Sequence, residues 1–143
     1  MPARTVYLIK RIETEVTAKM NKALTEYDVT LSQFIVLNFV NDNSTDLSSA
    51  QLSRRFNMTP QSMNEVVTTL QRKELIEKNV DADNKRILRI SLTDKGRDVL
   101  KQCNETIDVV EKELFGGMST AELQALRGLI GTVLTGIRNA ATT

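Results

Sequence analysis

Gln61, Ser62, Asn64, Thr68 and Thr69 fall on one side of a segment whose other side carries Met63, Val66, Val67 and Leu70. Their amides and hydroxyls donate and accept hydrogen bonds at short reach, which is what base edges and phosphate oxygens require. Glu65 lies among them, and Arg72 and Lys73 close the segment. Further along, Lys85, Arg86 and Arg89 cluster around a polar turn, where cations can displace the counterions of a polyanion. Each feature alone has a plain reading: a polar helix face can simply be solvated, and a basic tip can simply be an exposed turn. Their adjacency in one block of chain makes a nucleic acid the economical common target.

The elements that position these groups follow from spacing and punctuation. Thr59 is placed to cap a helix with Pro60 at its first position, where a missing N–H costs nothing, and the helix should run to about residue 73. Residues near its start reach furthest into a groove, so Gln61, Ser62 and Asn64 are the candidates for base edges. Arg72 and Lys73, at the far end, are candidates for phosphate. Before it, Ser48 and Gln51 form a capping box that opens a short helix over roughly 49–56, with Ala50, Leu52 and Phe56 available for packing. After it, alternation predicts strands over 75–80 and 87–92 joined by "DADNK", with Leu88, Ile90 and Leu92 on one face. A short helix, a tight turn, a second helix and a hairpin make a winged helix-turn-helix: the second helix suits a major groove ~12 Å wide and the hairpin reaches an adjacent groove.

Outside this block the chain reads as helix. Leu8, Ile12, Val16, Met20, Ala23 and Tyr27 make one apolar stripe over 4–27. Thr30 and Gln33 form a capping box for a helix over 31–41 carrying Phe34, Ile35, Leu37 and Val40, followed by the polar connector "NDNSTD". Thr93 caps a helix reaching Phe115, with a heptad-like seam of Leu100, Cys103, Ile107, Val110 and Leu114. Gly116 and Gly117 end it, and Ser119 with Glu122 opens a last helix whose apolar face is Leu123, Leu126, Ile130, Leu134 and Ile137. Gly128, Gly131 and Gly136 each weaken that helix by about 1 kcal/mol relative to alanine, a deficit that packing must offset. The predicted fold is mainly α with a small β-hairpin wing, in the order H-H-H-H-E-E-H-H.

Composition narrows the chemistry. The 143 residues are one domain's worth of chain. No histidine and a single cysteine exclude an intrachain disulfide and argue against a Cys/His zinc site, a Ser-His-Asp triad and a Cys-His dyad. No glycine-rich nucleotide loop is present, and acids such as Glu111 and Glu113 look like ordinary helix surface, so neither an enzyme nor a cofactor is expected. No apolar run approaches the roughly 20 residues that span a bilayer, and the start does not resemble a signal peptide; the expectation is a cytoplasmic protein with no membrane partner. Formal net charge is +1, but residues 54–101 hold 11 Lys+Arg against 7 Asp+Glu while the rest holds 8 against 11, so the basic charge gathers where the polar helix and hairpin lie. Cys103, in an apolar seam, is expected to be inert, and Met20, Met58 and Met63 to be core filler.

The run "LSSAQLSRRFNMTPQSMNEVVTTLQRKELIEK", then a short wing, then Arg86-x5-Leu92-Thr93-x2-Gly96, resembles the MarR family of bacterial winged-helix regulators, and the helix order at both ends fits as well. The resemblance implies a single domain over 1–143, with a DNA-binding lobe at 30–96 and dimerisation helices at 4–27 and 97–140. It implies a homodimer on pseudo-palindromic double-stranded operator DNA, acting as a repressor. A small effector, often an aromatic or phenolic acid, would bind between the interface helices and the reading lobe and release the DNA. The candidate DNA-contacting residues are then Ser48, Thr59, Pro60, Gln61, Ser62, Asn64, Glu65, Thr68, Arg72, Lys73, Lys85, Arg86 and Arg89. Three positions depart from the family's habit: Asn84 where Asp often precedes the wing arginine by two, Glu65 where many members carry Arg, and Glu74 where glycine usually follows the recognition helix. A carboxylate at position 65 repels phosphate but can accept from cytosine N4. The same fold could instead serve as a dimeric protein-interaction module that reads no DNA, a use that Glu65 and the near-neutral charge favour.

Overall fold

The computed structural model describes residues 4–42, 48–84 and 88–141. Lys85, Arg86 and Ile87, and most of the connector "NDNSTD", lie outside the described residues. The order is α1 (Thr5–Leu24), a single 3-10 turn (Thr25–Tyr27), α2 (Leu31–Asp42), α3 (Ser49–Arg55), α4 (Pro60–Arg72), β1 (Ile76–Val80), β2 (Leu88–Leu92), α5 (Asp94–Phe115) and α6 (Thr120–Ala141). This is the mainly helical winged architecture expected from the spacing. The stripe over 4–27 is an α-helix that tightens into the 3-10 turn at its end rather than one uniform helix.

All three capping boxes form. Thr30 N–H donates to Gln33 Oε1 and Gln33 N–H to Thr30 Oγ1, each at 3.2 Å. Ser48 and Gln51 exchange the same pair at 2.8 and 3.2 Å. Ser119 and Glu122 do so at 2.9 and 3.1 Å, and those bonds hold the Glu122 carboxyl below the usual carboxylate range. Each box satisfies two backbone donors that a helix start would otherwise leave bare.

Three helix ends stop on a left-handed residue that is not glycine: Asp28 (φ 54°), Asn57 (φ 50°) and Glu74 (φ 62°). At each, the left-handed residue bonds three residues back and its successor five back. The pairs are Asp28 N to Thr25 O with Val29 N to Leu24 O, Asn57 N to Arg54 O with Met58 N to Ser53 O, and Glu74 N to Gln71 O with Leu75 N to Leu70 O. This is the Schellman stop. Asp and Asn tolerate the left-handed region because their short side chains bond locally; glutamate does not.

The chain divides into two compact units, Met1–Ile107 and Asp108–Thr143. In the first, Leu24, Leu37, Val40, Leu52, Met63, Val67, Leu70, Ile76, Ile90 and Cys103 are buried in one continuous core. It joins α2, α3 and α4 to the hairpin, so α4 and the hairpin stand on a shared floor. Each large side chain buried there contributes about 1.5–3 kcal/mol. Burial also pushes the Cys103 thiol pKa upward, as expected for an inert position. The hairpin is antiparallel, with Ile76 opposite Leu92 and Lys78 opposite Ile90. Gly96 closes the strand-to-helix junction: a Cβ there would overlap the Leu75 carbonyl oxygen and come within 2.9 Å of its carbon.

Two packing expectations change. In α2, Val36 is buried and Ile35 is exposed, because Gln33, Val36, Leu37 and Val40 share the inward stripe at spacing 3, 4 and 7, whereas an unbroken apolar run hides which face turns in. In α3, Ala50 is exposed and Ser53 takes the buried place, its hydroxyl donating to the Ala50 carbonyl at 2.9 Å.

In the second unit, α6 buries no residue, and Leu129, Ile130, Val133, Leu134 and Ile137 are 47–66% exposed. In the first unit, Val6, Tyr7, Leu8, Ile9 and Ile12 of α1 are likewise exposed, while Met20 and Leu24 lower on the same helix pack into the core. Two helices thus carry apolar faces that the single chain leaves in water, more than scattered surface apolar residues account for.

Candidate nucleic-acid interface

Helix α4 is built outward from its floor. Met63, Val67 and Leu70 are fully buried and Val66 half-buried, which fixes the helix's rotation. Gln61, Asn64, Glu65, Thr68 and Arg72 are consequently exposed, and with the half-buried Thr69 they line one open trough. Thr69 belongs to this surface although it was not among the candidate contacts. Ser62 is half-buried, and its hydroxyl accepts a bond from Thr59 Oγ1 at 2.9 Å.

The start of α4 is set as expected. Thr59 Oγ1 accepts from Ser62 N–H at 3.1 Å, and Pro60 occupies the first turn. Ser48 Oγ is engaged in its own capping box at the start of α3. Ser48 and Thr59 therefore act first on their own helices, with hydroxyls already committed.

Lys73, a candidate phosphate contact, is also engaged within the chain. Its ammonium donates to the Asp28 carbonyl and, at 3.0 Å, to Gln33 Oε1, with Asp28 Oδ2 at 3.6 Å. The side chain is only 25% exposed. The cause is the sharp left-handed turn at Asp28, which leaves a carbonyl and a carboxylate facing the end of α4. Lys73 thereby ties α4 to the α1–α2 corner. From the other side, Lys95 Nζ donates to the Lys73 carbonyl at 3.1 Å and Thr93 Oγ1 to the Glu74 carbonyl at 2.6 Å. Thr93 Oγ1 also accepts from Gly96 N–H at 2.9 Å, starting α5. The carbonyls that end α4 are thus satisfied by residues of the following helix, and the helix is held at both ends.

The wing places Arg89 on the half-buried face of β2, opposite Asn79, with its Nε 3.7 Å from Asp81 Oδ1. That pair links the two strands at the turn end of the hairpin, Asp81 being the first residue after β1; only the strand register brings it to Arg89. At the far end of α3, the Arg55 guanidinium lies 5.5 Å from the centre of the Phe39 ring, which meets Phe56 edge-on at 5.1 Å. This clamp joins α2 to α3. Among the described residues no cluster of acids or thiols could hold a metal ion, and no helix is long and apolar enough to cross a membrane.

Residues 27–87 match the model of the MarR family. The HTH-type transcriptional repressor Rv2887 of Mycobacterium tuberculosis is 24% identical over 124 residues, spanning 87% of this chain and 88% of the repressor. Among solved structures, the S. aureus MepR–DNA complex superposes with a TM-score of 0.82 at 22% identity, covering 94% of this chain and 96% of MepR. A mutant MarR from E. coli complexed with operator DNA gives 0.81 at 22% identity, covering 90% and 91%. The shared fold is thus a MarR-type winged helix, with β1 and β2 as the wing.

Proposed function

We propose that this chain, whose residues 27–87 match the MarR family model, is a MarR-type transcriptional regulator that binds double-stranded operator DNA as a homodimer and represses transcription until a small effector releases it. The observation that carries the reading is the rotation of α4: its apolar side is locked into the core and its amide, hydroxyl and guanidinium groups face solvent together. Gln61, Ser62 and Asn64 read base edges; Thr68 and Arg72 hold the backbone; Ser48, Thr59 and Pro60 bring the two helix starts to phosphate. Lys85, Arg86 and Arg89 of the wing add the salt-dependent share of affinity. The reading is supported by relatives named as repressors and by similar folds solved on DNA.

The dimer is supported by the apolar faces of α1 and α6, which need a partner surface that the single chain does not supply. In this division of labour, residues 30–96 read and residues 4–27 and 97–140 pair. A two-fold axis then sets the reading helices about one DNA turn apart, ~34 Å, and makes the operator pseudo-palindromic. An effector relieves repression if it binds better to a dimer whose helices have the wrong separation. The family resemblance supports a small aromatic or phenolic acid in that role, and a cytoplasmic site of action where the DNA is.

A fluorescence-anisotropy titration of the full chain on DNA from upstream of its own gene tests this. Specific binding that weakens steeply between about 50 and 200 mM salt is expected. Equal affinity for that DNA and for unrelated duplex overturns the reading and leaves the protein-interaction module, which Glu65 on the outward face favours.

A further inference from the structure

Glu65 lies on the side of α4 opposed to the core. At 100° per residue it lies roughly 200° from both Met63 and Val67, the residues that pin the helix. Gln61 and Arg72 lie within about 40° of the same line, one turn before and two turns after it. Glu65 is exposed, lines the trough with them, and makes no ion pair or hydrogen bond among the described residues. Arg72, seven residues on and about 10 Å along the axis, is too far to neutralise it within the helix. The outermost line of this face therefore carries an unpaired carboxylate between Gln61 and Arg72.

From this placement we infer that Glu65 is the residue that sets base preference at the centre of each half-site, selecting cytosine. The inference rests on the DNA-binding reading and deepens it. A carboxylate can only accept. Guanine offers two acceptors to the major groove, and thymine an acceptor and a methyl group, so both leave the charge unpaired. Adenine offers one donor beside an acceptor. Cytosine offers the N4 amino donor with no acceptor on the same base edge, which is the best match. The same charge repels the phosphates of any duplex that brings no donor to it. Glu65 thus penalises incorrect sites while accepting the correct one, which is how specificity is gained through a repulsive element. Gln61 and Asn64, which can both donate and accept, suit adenine at the flanking positions.

The test is selection from a randomised duplex library by the full chain, alongside Glu65→Gln and Glu65→Ala. Wild-type half-sites should hold a cytosine whose replacement costs about tenfold in affinity. Glu65→Gln should lose that cytosine preference and move toward adenine at that position alone. Glu65→Ala should become indifferent there and bind non-specific DNA more tightly. A cytosine preference that persists in both variants, or wild-type sites with no position that responds to residue 65, overturns the assignment while leaving DNA binding intact. Failure of the wild type to enrich any sequence overturns the DNA-binding reading, and the assignment falls with it.

Discussion

Replacing Glu74 by glycine should stabilise the protein although it removes no clash and adds no contact. Glu74 sits at φ 62° with its side chain in solvent, held there by the two Schellman bonds that end α4. An L-residue in this region costs roughly 1–2 kcal/mol, which glycine avoids. A carboxylate beside a helix C-terminus adds about 0.3 kcal/mol or more of unfavourable dipole interaction. Against these, glycine's extra freedom in the unfolded chain costs about 0.5–1 kcal/mol. The net expectation is a gain of about 1 kcal/mol, or a rise in Tm of about 3 °C for a chain of this size. Denaturant unfolding at fixed protein concentration measures it. Asn57→Gly, at φ 50°, is the internal control: asparagine already tolerates the conformation, so little change is expected. Glu74→Ala separates the causes, since it removes the charge but keeps the strain. If Glu74→Gly proved neutral or destabilising, no more favourable than Asn57→Gly, backbone strain at the end of α4 would be refuted.

Other perturbations probe the floor, the reading face and the pairing surface. Gly96→Ala places a methyl group into the Leu75 carbonyl; overpacking of about 3 kcal/mol less about 1 kcal/mol of helix propensity should leave a loss near 2 kcal/mol in denaturant midpoints. Arg72→Ala should weaken binding to all DNA sequences alike and lower the salt slope by about one per reading helix, as read by anisotropy titration across salt. Leu134→Glu, in the exposed apolar face of α6, should convert dimer to monomer in sedimentation without altering far-ultraviolet dichroism of the reading lobe.

Much of the architecture was legible because local signals agreed with one another. Capping boxes at Thr30, Ser48 and Ser119 marked three helix starts to the residue, since a box satisfies backbone donors that only a helix start leaves bare. The inward face of α4 was equally plain, because Met63, Val67 and Leu70 stand among polar neighbours. Where apolar residues run together, as at 34–37, periodicity loses contrast, and the burial of Val36 in place of Ile35 depends on tertiary packing. Lys73 shows a second kind of loss. A lysine at the end of a polar helix reads as a phosphate ligand, and its bonds to the Asp28 corner, 45 residues away in sequence, have no local signal. The Asp81–Arg89 pair is of the same sort, since strand register brings its partners together.

The proposed dimer sets two copies of α4 against one face of DNA a helical turn apart. Hydroxyl-radical footprinting of the full chain on its selected operator tests this directly. Two symmetric protected patches are expected with centres about 10 base pairs apart, both lost when Leu134→Glu dissolves the pairing surface. A single protected patch, or protection unchanged in that variant, would contradict it.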